Sequence, residues 1–171
     1  MPVRYRSGLW LVVLTCLSGS ASADPDLAWR KGDDILELTR ILDTWLDIST
    51  DLRRPKIPPK ITLISPAMAA SIRGSTLHDY GRTRGLFDPQ SSTIFLVQPW
   101  DLRNVNDASI LLHELIHSRQ VSRHYLCPGA EEEAAYRIQD DWLRERGLRA
   151  NVNWFTIMLA AGCSRRDIHP D

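Results

Sequence analysis

The alternation of apolar and polar positions changes period several times along this chain, and each change marks an element. Over residues 33–48, Ile35, Leu38, Ile41, Leu42, Trp45 and Leu46 recur at intervals of three and four, the spacing of one helix face. Asp33 or Asp34 stands where a carboxylate can cap the first free amides. The run "RRPKIPPK" then ends regular structure, because each proline lacks an amide donor and restricts its predecessor. The stretch "ITLIS", residues 61–65, is short and β-branched and predicts a strand. A short helix follows, opened by Pro66 and ended by Gly74. The β-prone runs "RGLF" and "STIFLV" flank Asp88, Pro89, Gln90 and Ser91, a turn composition, and predict a hairpin.

Beyond the polar loop "DLRNVNDAS" the helical period returns. This helix is expected to be capped at Asp107 or Ser109 and to run through His124. Ile110, Leu111, Leu112, Leu115 and Ile116 point in most directions round its axis, so it is expected to be buried. A second helix is expected over residues 131–146, stopped by Gly147, and a short one over residues 153–161. The pattern therefore predicts an α+β fold: a mainly helical domain with a small antiparallel sheet packed on the buried helix.

The first 23 residues read differently. Arg4 and Arg6 precede an apolar run over residues 9–17, and small residues end at Ala21, Ser22 and Ala23. That is the layout of a signal peptide cleaved after Ala23. Its apolar run is about half the ~20 residues that span a bilayer, so no stable membrane anchor is expected after cleavage. Thr15 before Cys16 does not fit a lipoprotein signal. Residues 24–171 then form one domain, secreted or periplasmic, and a monomer is expected. The 21 basic and 21 acidic side chains balance, and losing Arg4 and Arg6 leaves a slight acidic excess. Such a chain gives no electrostatic reason for nucleic acid or an anionic membrane as partner. Cys127 and Cys163 remain, and an even pair in an oxidising compartment is expected to form a disulfide worth about 3–4 kcal/mol.

Candidate chemistry lies in the buried helix, which contains His113-Glu114-Leu115-Ile116-His117. Histidines four apart on a helix share one face, so both imidazoles can reach a single ion. Glu114 projects about 100° away, beside such an ion, where a general base for a water at the metal belongs. Buried histidine and glutamate cost several kcal/mol without partners, and a metal is a good partner. Zinc suits two imidazoles and a carboxylate. His124 lies ~10 Å beyond His117 along a continuous helix, too far to ligate. Glu131, Glu132 and Glu133, on the next helix, are better placed, although an acidic first turn also suits the helix dipole alone.

At this point the chain resembles a known group. HELIH followed by a glutamate on the next helix is similar to the gluzincin metallopeptidases. More closely, "HELIHSRQ", "CPGAEEEAAYRIQDDWL" and a late cysteine resemble small exported bacterial zincin-like proteins, over residues 107–163. The resemblance implies a zincin-like domain holding Zn2+ through His113, His117 and Glu132, with Glu114 as the catalytic base. It implies a zinc-dependent hydrolase, a peptidase acting on a peptide or protein substrate. Face by face, Glu131 keeps company with Ala134, Ala135, Ile138 and Trp142, whereas Glu132 shares with Ala135, Tyr136 and Gln139, so either can reach the core edge. The donor for a developing oxyanion is open among Tyr125, His124, Tyr136 and Tyr80. Gln120 and Tyr136 are candidate partners behind the ligands. The alternative reading is a zinc-containing, non-catalytic binding protein of the cell envelope; a third is a metal-free helical protein held by its disulfide.

Overall fold

A computed structural model describes residues 29–30, 32–73 and 84–163. The expected signal peptide and Tyr80 lie outside the described residues. Helix α1, Ile35–Ser49, opens at Asp34, whose carboxylate accepts the Glu37 amide at 2.8 Å, and it buries Leu38, Leu42 and Leu46. Strand β1, Lys60–Ile64, leads into helix α2, Pro66–Arg73. Strands β2, Gly85–Asp88, and β3, Thr93–Val97, form the expected hairpin. Asp88 shapes its turn by accepting the amides of Gln90 and Ser91.

The fold is α+β, but the small sheet is mixed rather than antiparallel. Its order is β1-β3-β2, with β2 antiparallel to β3 and β1 parallel to it, Ile61 opposite Ile94. A helix separates β1 from the hairpin, and that length of connection allows re-entry in the same direction, which no tight turn permits. The composition of β1 says nothing about direction.

Helix α3, Val105–Gln120, lies on this sheet and on α1, with Leu111, Leu112, Leu115 and Ile116 essentially inaccessible. Its cap is Asn104, not Asp107 or Ser109: Asn104 Oδ1 accepts the amides of Asn106 and Asp107. Asp107 is buried instead, bonded to Arg84 Nη2 at 2.5 Å and to the Asp101 amide at 2.9 Å. It thereby pins the segment before the helix. The helix stops at Gln120 rather than His124. Val121, Ser122, Arg123 and His124 are all exposed, so no core rewards another turn.

Helix α4, Pro128–Arg144, begins three residues before its expected start. Pro128 occupies the first turn, where its missing amide costs nothing. Gly147, at φ +69°, accommodates the reversal that follows. Buried Asp140 accepts the Ala150 amide at 2.9 Å and so fixes the return path. Helix α5, Trp154–Ala161, is capped by Asn153 and runs back along α4. Cys127 and Cys163 are joined in the expected disulfide, their Cα atoms 5.9 Å apart. No described helix is long and apolar enough to cross a membrane.

Candidate metal centre

Three helices position the centre. The α3 C-terminus is fixed from behind by Arg119, whose wholly buried guanidinium donates to Asp43 Oδ1, Asp43 O, Asp47 Oδ1 and Leu52 O. Four such bonds to α1 and the segment after it hold the helix against sliding or rotating. On its opposite side α3 meets α4 in antiparallel packing, so residues 109–120 face residues 131–139.

Across that seam His113, His117 and Glu132 bring one ligand atom each within 4.8 Å of one another. His113 Nε2 lies 3.0 Å from His117 Nε2 and 3.3 Å from Glu132 Oε2, while His117 Nε2 lies 3.5 Å from Glu132 Oε1. The two Nε2 atoms and one carboxylate thus converge on a common point. Glu131 takes a different place: its Oε1 is 3.7 Å from His117 Nδ1, the nitrogen facing away from that point. Geometry therefore groups Glu132, not Glu131, with the two histidines, and sets Glu131 behind His117. Behind His113 stands Gln139, with Oε1 3.1 Å from His113 Nδ1. The Tyr136 ring covers His113 with centroids 4.4 Å apart.

Electrostatics fit a cation. Burial works against the charged form of His117, yet the carboxylates of Glu131 and Glu132 more than reverse it and lift its pKa to about 10. For Glu132, burial alone would favour the neutral acid, but the two imidazoles hold its carboxyl well below the usual carboxylate range. Without a metal the cluster therefore holds a proton on His117 against the ionised Glu132 carboxylate, the place a cation would take. Two imidazole nitrogens, each backed by a polar partner, and one carboxylate oxygen, all at least partly buried, are a donor set that zinc accepts.

The centre lies at the floor of a cleft of about 1120 Å³, walled by β2, by the loop at Trp100 and Asp101, and by the start of α4. Glu114 lines the same cleft beside the cluster and is only 6% exposed. It lies against Gly85 in β2, where a β-carbon would come 2.5 Å from Glu114 Oε1. Of the candidate oxyanion donors, Tyr136 lines the cleft. Tyr125 instead accepts from Gln120 Nε2 at 3.2 Å, and His124 is exposed beyond the helix end. Gln120 also donates to the Glu131 carbonyl, so it ties two helix ends together.

Sequence reasoning missed the roles of Gln139 and Gly85. A signal for the first existed: Gln139 follows Glu132 by two helical turns and so shares its face. For Gly85 there was none, because its partner is 29 positions away, a distance only the fold closes.

Comparison with known proteins gives one finding. No curated protein and no solved structure matches the chain. A family model described as a domain of unknown function, DUF6647, matches residues 31–171. With α3, α4 and every residue of the candidate centre inside that span, the chain belongs to the DUF6647 family.

Proposed function

We propose that this protein is an exported zinc-dependent hydrolase that cleaves peptide bonds, with His113, His117 and Glu132 as the metal ligands and Glu114 as general base. The observation that carries the reading is the convergence of those three ligand atoms within 4.8 Å, on the floor of a cleft that Glu114 also lines. Zinc bound there would polarise a carbonyl and make a neighbouring water more acidic. Glu114, buried and held against β2, accepts the proton from the attacking water and returns it to the departing amine. Glu132 and the two imidazoles hold their positions through α3 and α4 and need not move during the reaction. Tyr136, in the cleft and over His113, is the residue we assign to donate toward the developing oxyanion. The sequence resemblance to gluzincins supports the same roles. The disulfide supports an oxidising destination, as does the signal-like leader.

Elemental analysis of mature protein produced with zinc supplementation tests the metal; about one zinc per chain is expected. A peptide-library assay tests the chemistry. Glu114→Gln should keep zinc and lose hydrolysis by ~100-fold or more. A metal content near zero after reconstitution overturns the reading. Tight zinc binding with no cleavage, unaltered in Glu114→Gln, replaces it with the non-catalytic binding protein.

A further inference from the structure

Behind the ligands runs a chain of hydrogen bonds that starts at a backbone carbonyl and ends on an imidazole. Ser109 Oγ donates its only proton to the Asn106 carbonyl at 2.7 Å. Toward Gln139 the same oxygen can then only accept, and Gln139 Nε2 lies 2.9 Å away to donate. The amide orientation follows: Gln139 Oε1 faces His113 Nδ1, at 3.1 Å, as an acceptor. A ring nitrogen opposite an acceptor must carry the hydrogen. His113 Nδ1 therefore carries a hydrogen, and in the neutral ring, the form that can ligate, His113 Nε2 presents a lone pair to the point shared with His117 and Glu132. The hydrogen in the 3.0 Å contact between the two rings then belongs to His117 Nε2. Ser109 and Gln139 are both buried, so water does not compete with either bond.

We infer that Gln139 is a positioning residue which, oriented through Ser109 by the Asn106 carbonyl, locks His113 in the tautomer whose Nε2 can bind a metal. This rests on the metal centre proposed above. An amide does here what a carboxylate does in many histidine metal sites, but it adds no charge. Its second group is occupied by Ser109, and that occupation gives it direction. Were the amide reversed, Nε2 of Gln139 would donate to His113 Nδ1 and put the ring hydrogen on the ligating nitrogen.

The test compares Gln139→Glu, Gln139→Leu and Ser109→Ala with wild type. Zinc affinity is read by chelator competition, and the His113 tautomer in metal-free protein by long-range proton–nitrogen correlation spectra. Glutamate accepts and does not donate, so Gln139→Glu should hold zinc as tightly as wild type or more so. Gln139→Leu fills similar space without an acceptor, and should lose ~10-fold to 100-fold in affinity while His113 shifts away from the Nδ1–H form. Ser109→Ala, a small change that leaves the fold intact, should lose several-fold and show both tautomers. Were Gln139 only a packing residue, the order would reverse, with leucine tolerated and glutamate harmful. That order, or a wild-type His113 hydrogen found on Nε2, overturns the inference. If wild type takes up no zinc, the proposed function falls, while the tautomer spectra still decide the role of Gln139.

Discussion

At Gly85 the β2 backbone comes so close to Glu114 that one methyl group would displace the carboxylate, whose Oε1 would lie 2.5 Å from it. Gly85→Ala should therefore leave zinc in place and reduce hydrolysis by ~100-fold, the scale of a lost general base; unchanged peptide turnover would refute Glu114 as that base. Glu131 and Glu132 are neighbours with different expected effects. Glu132→Gln removes a charged ligand and should weaken zinc by at least ~100-fold, while Glu131→Gln, altering only the partner of His117 Nδ1, should cost ~10-fold. A chromogenic chelator ranks the two, and the opposite order would exchange their roles. The same cluster sets a pH dependence in metal-free protein. The raised His117 pKa gives stability that is complete below about 6.5, erodes above it and is gone as pH passes about 10. The lowered Glu132 pKa gives stability that is present above about 4.5 and fades as pH falls below it. Melting temperatures of metal-free protein should thus show this contribution at its largest between about pH 4.5 and 6.5, and Glu132→Gln should flatten the profile. Zinc would have to displace the His117 proton, so its affinity should rise with pH up to about 10.

Elements were legible where one side of the pattern faces a core, and illegible where a neighbour decides. The three-and-four spacing of Leu38, Leu42 and Leu46 marks α1, and the five apolar residues of α3 mark its burial, because both follow from the helical period alone. The direction of β1, the loss of helix after Gln120 and the early start of α4 depend on what surrounds each end. In the site, the two histidines and Glu114 were readable from spacing within one helix. The choice of Glu132 over Glu131 needed the resemblance, since the face pattern admits both and only the α3–α4 packing separates them. Arg119 shows how firmly α3 is seated. Arg119→Met leaves the half-buried Asp43 without its guanidinium, while Asp47 keeps that of Arg54, and should destabilise the fold by about 3 kcal/mol in urea titration. A change below about 1 kcal/mol would mean that the apolar packing of α3 alone holds it.

Over the whole molecule, the chain from α1 to α3 is fixed by the main core, whereas α5 contributes no buried residue of its own. What retains α5 is its packing along α4 and the Cys127–Cys163 bond. Reduction should therefore lower stability by about 3–4 kcal/mol, as the loop-closure estimate gives for a separation of 36 residues, and weaken zinc binding with it. Thermal melts with and without reductant measure the first, chelator competition the second; a reduced protein with the affinity of the oxidised one would uncouple them. The bond also bears on how long an ion stays. Cys127 sits at the N-cap of α4, a few residues ahead of Glu132 and outside the helix that carries the histidines. When the start of α4 frays, an oxidised chain lets Glu132 swing only on a short leash, so it returns to the ion before the ion has left. A reduced chain would let the start of α4 and the end of α5 drift further, while Trp142 and Leu143 keep the rest of α4 in the core. The residence time of a bound ion, and through it the affinity, would then depend on that covalent link.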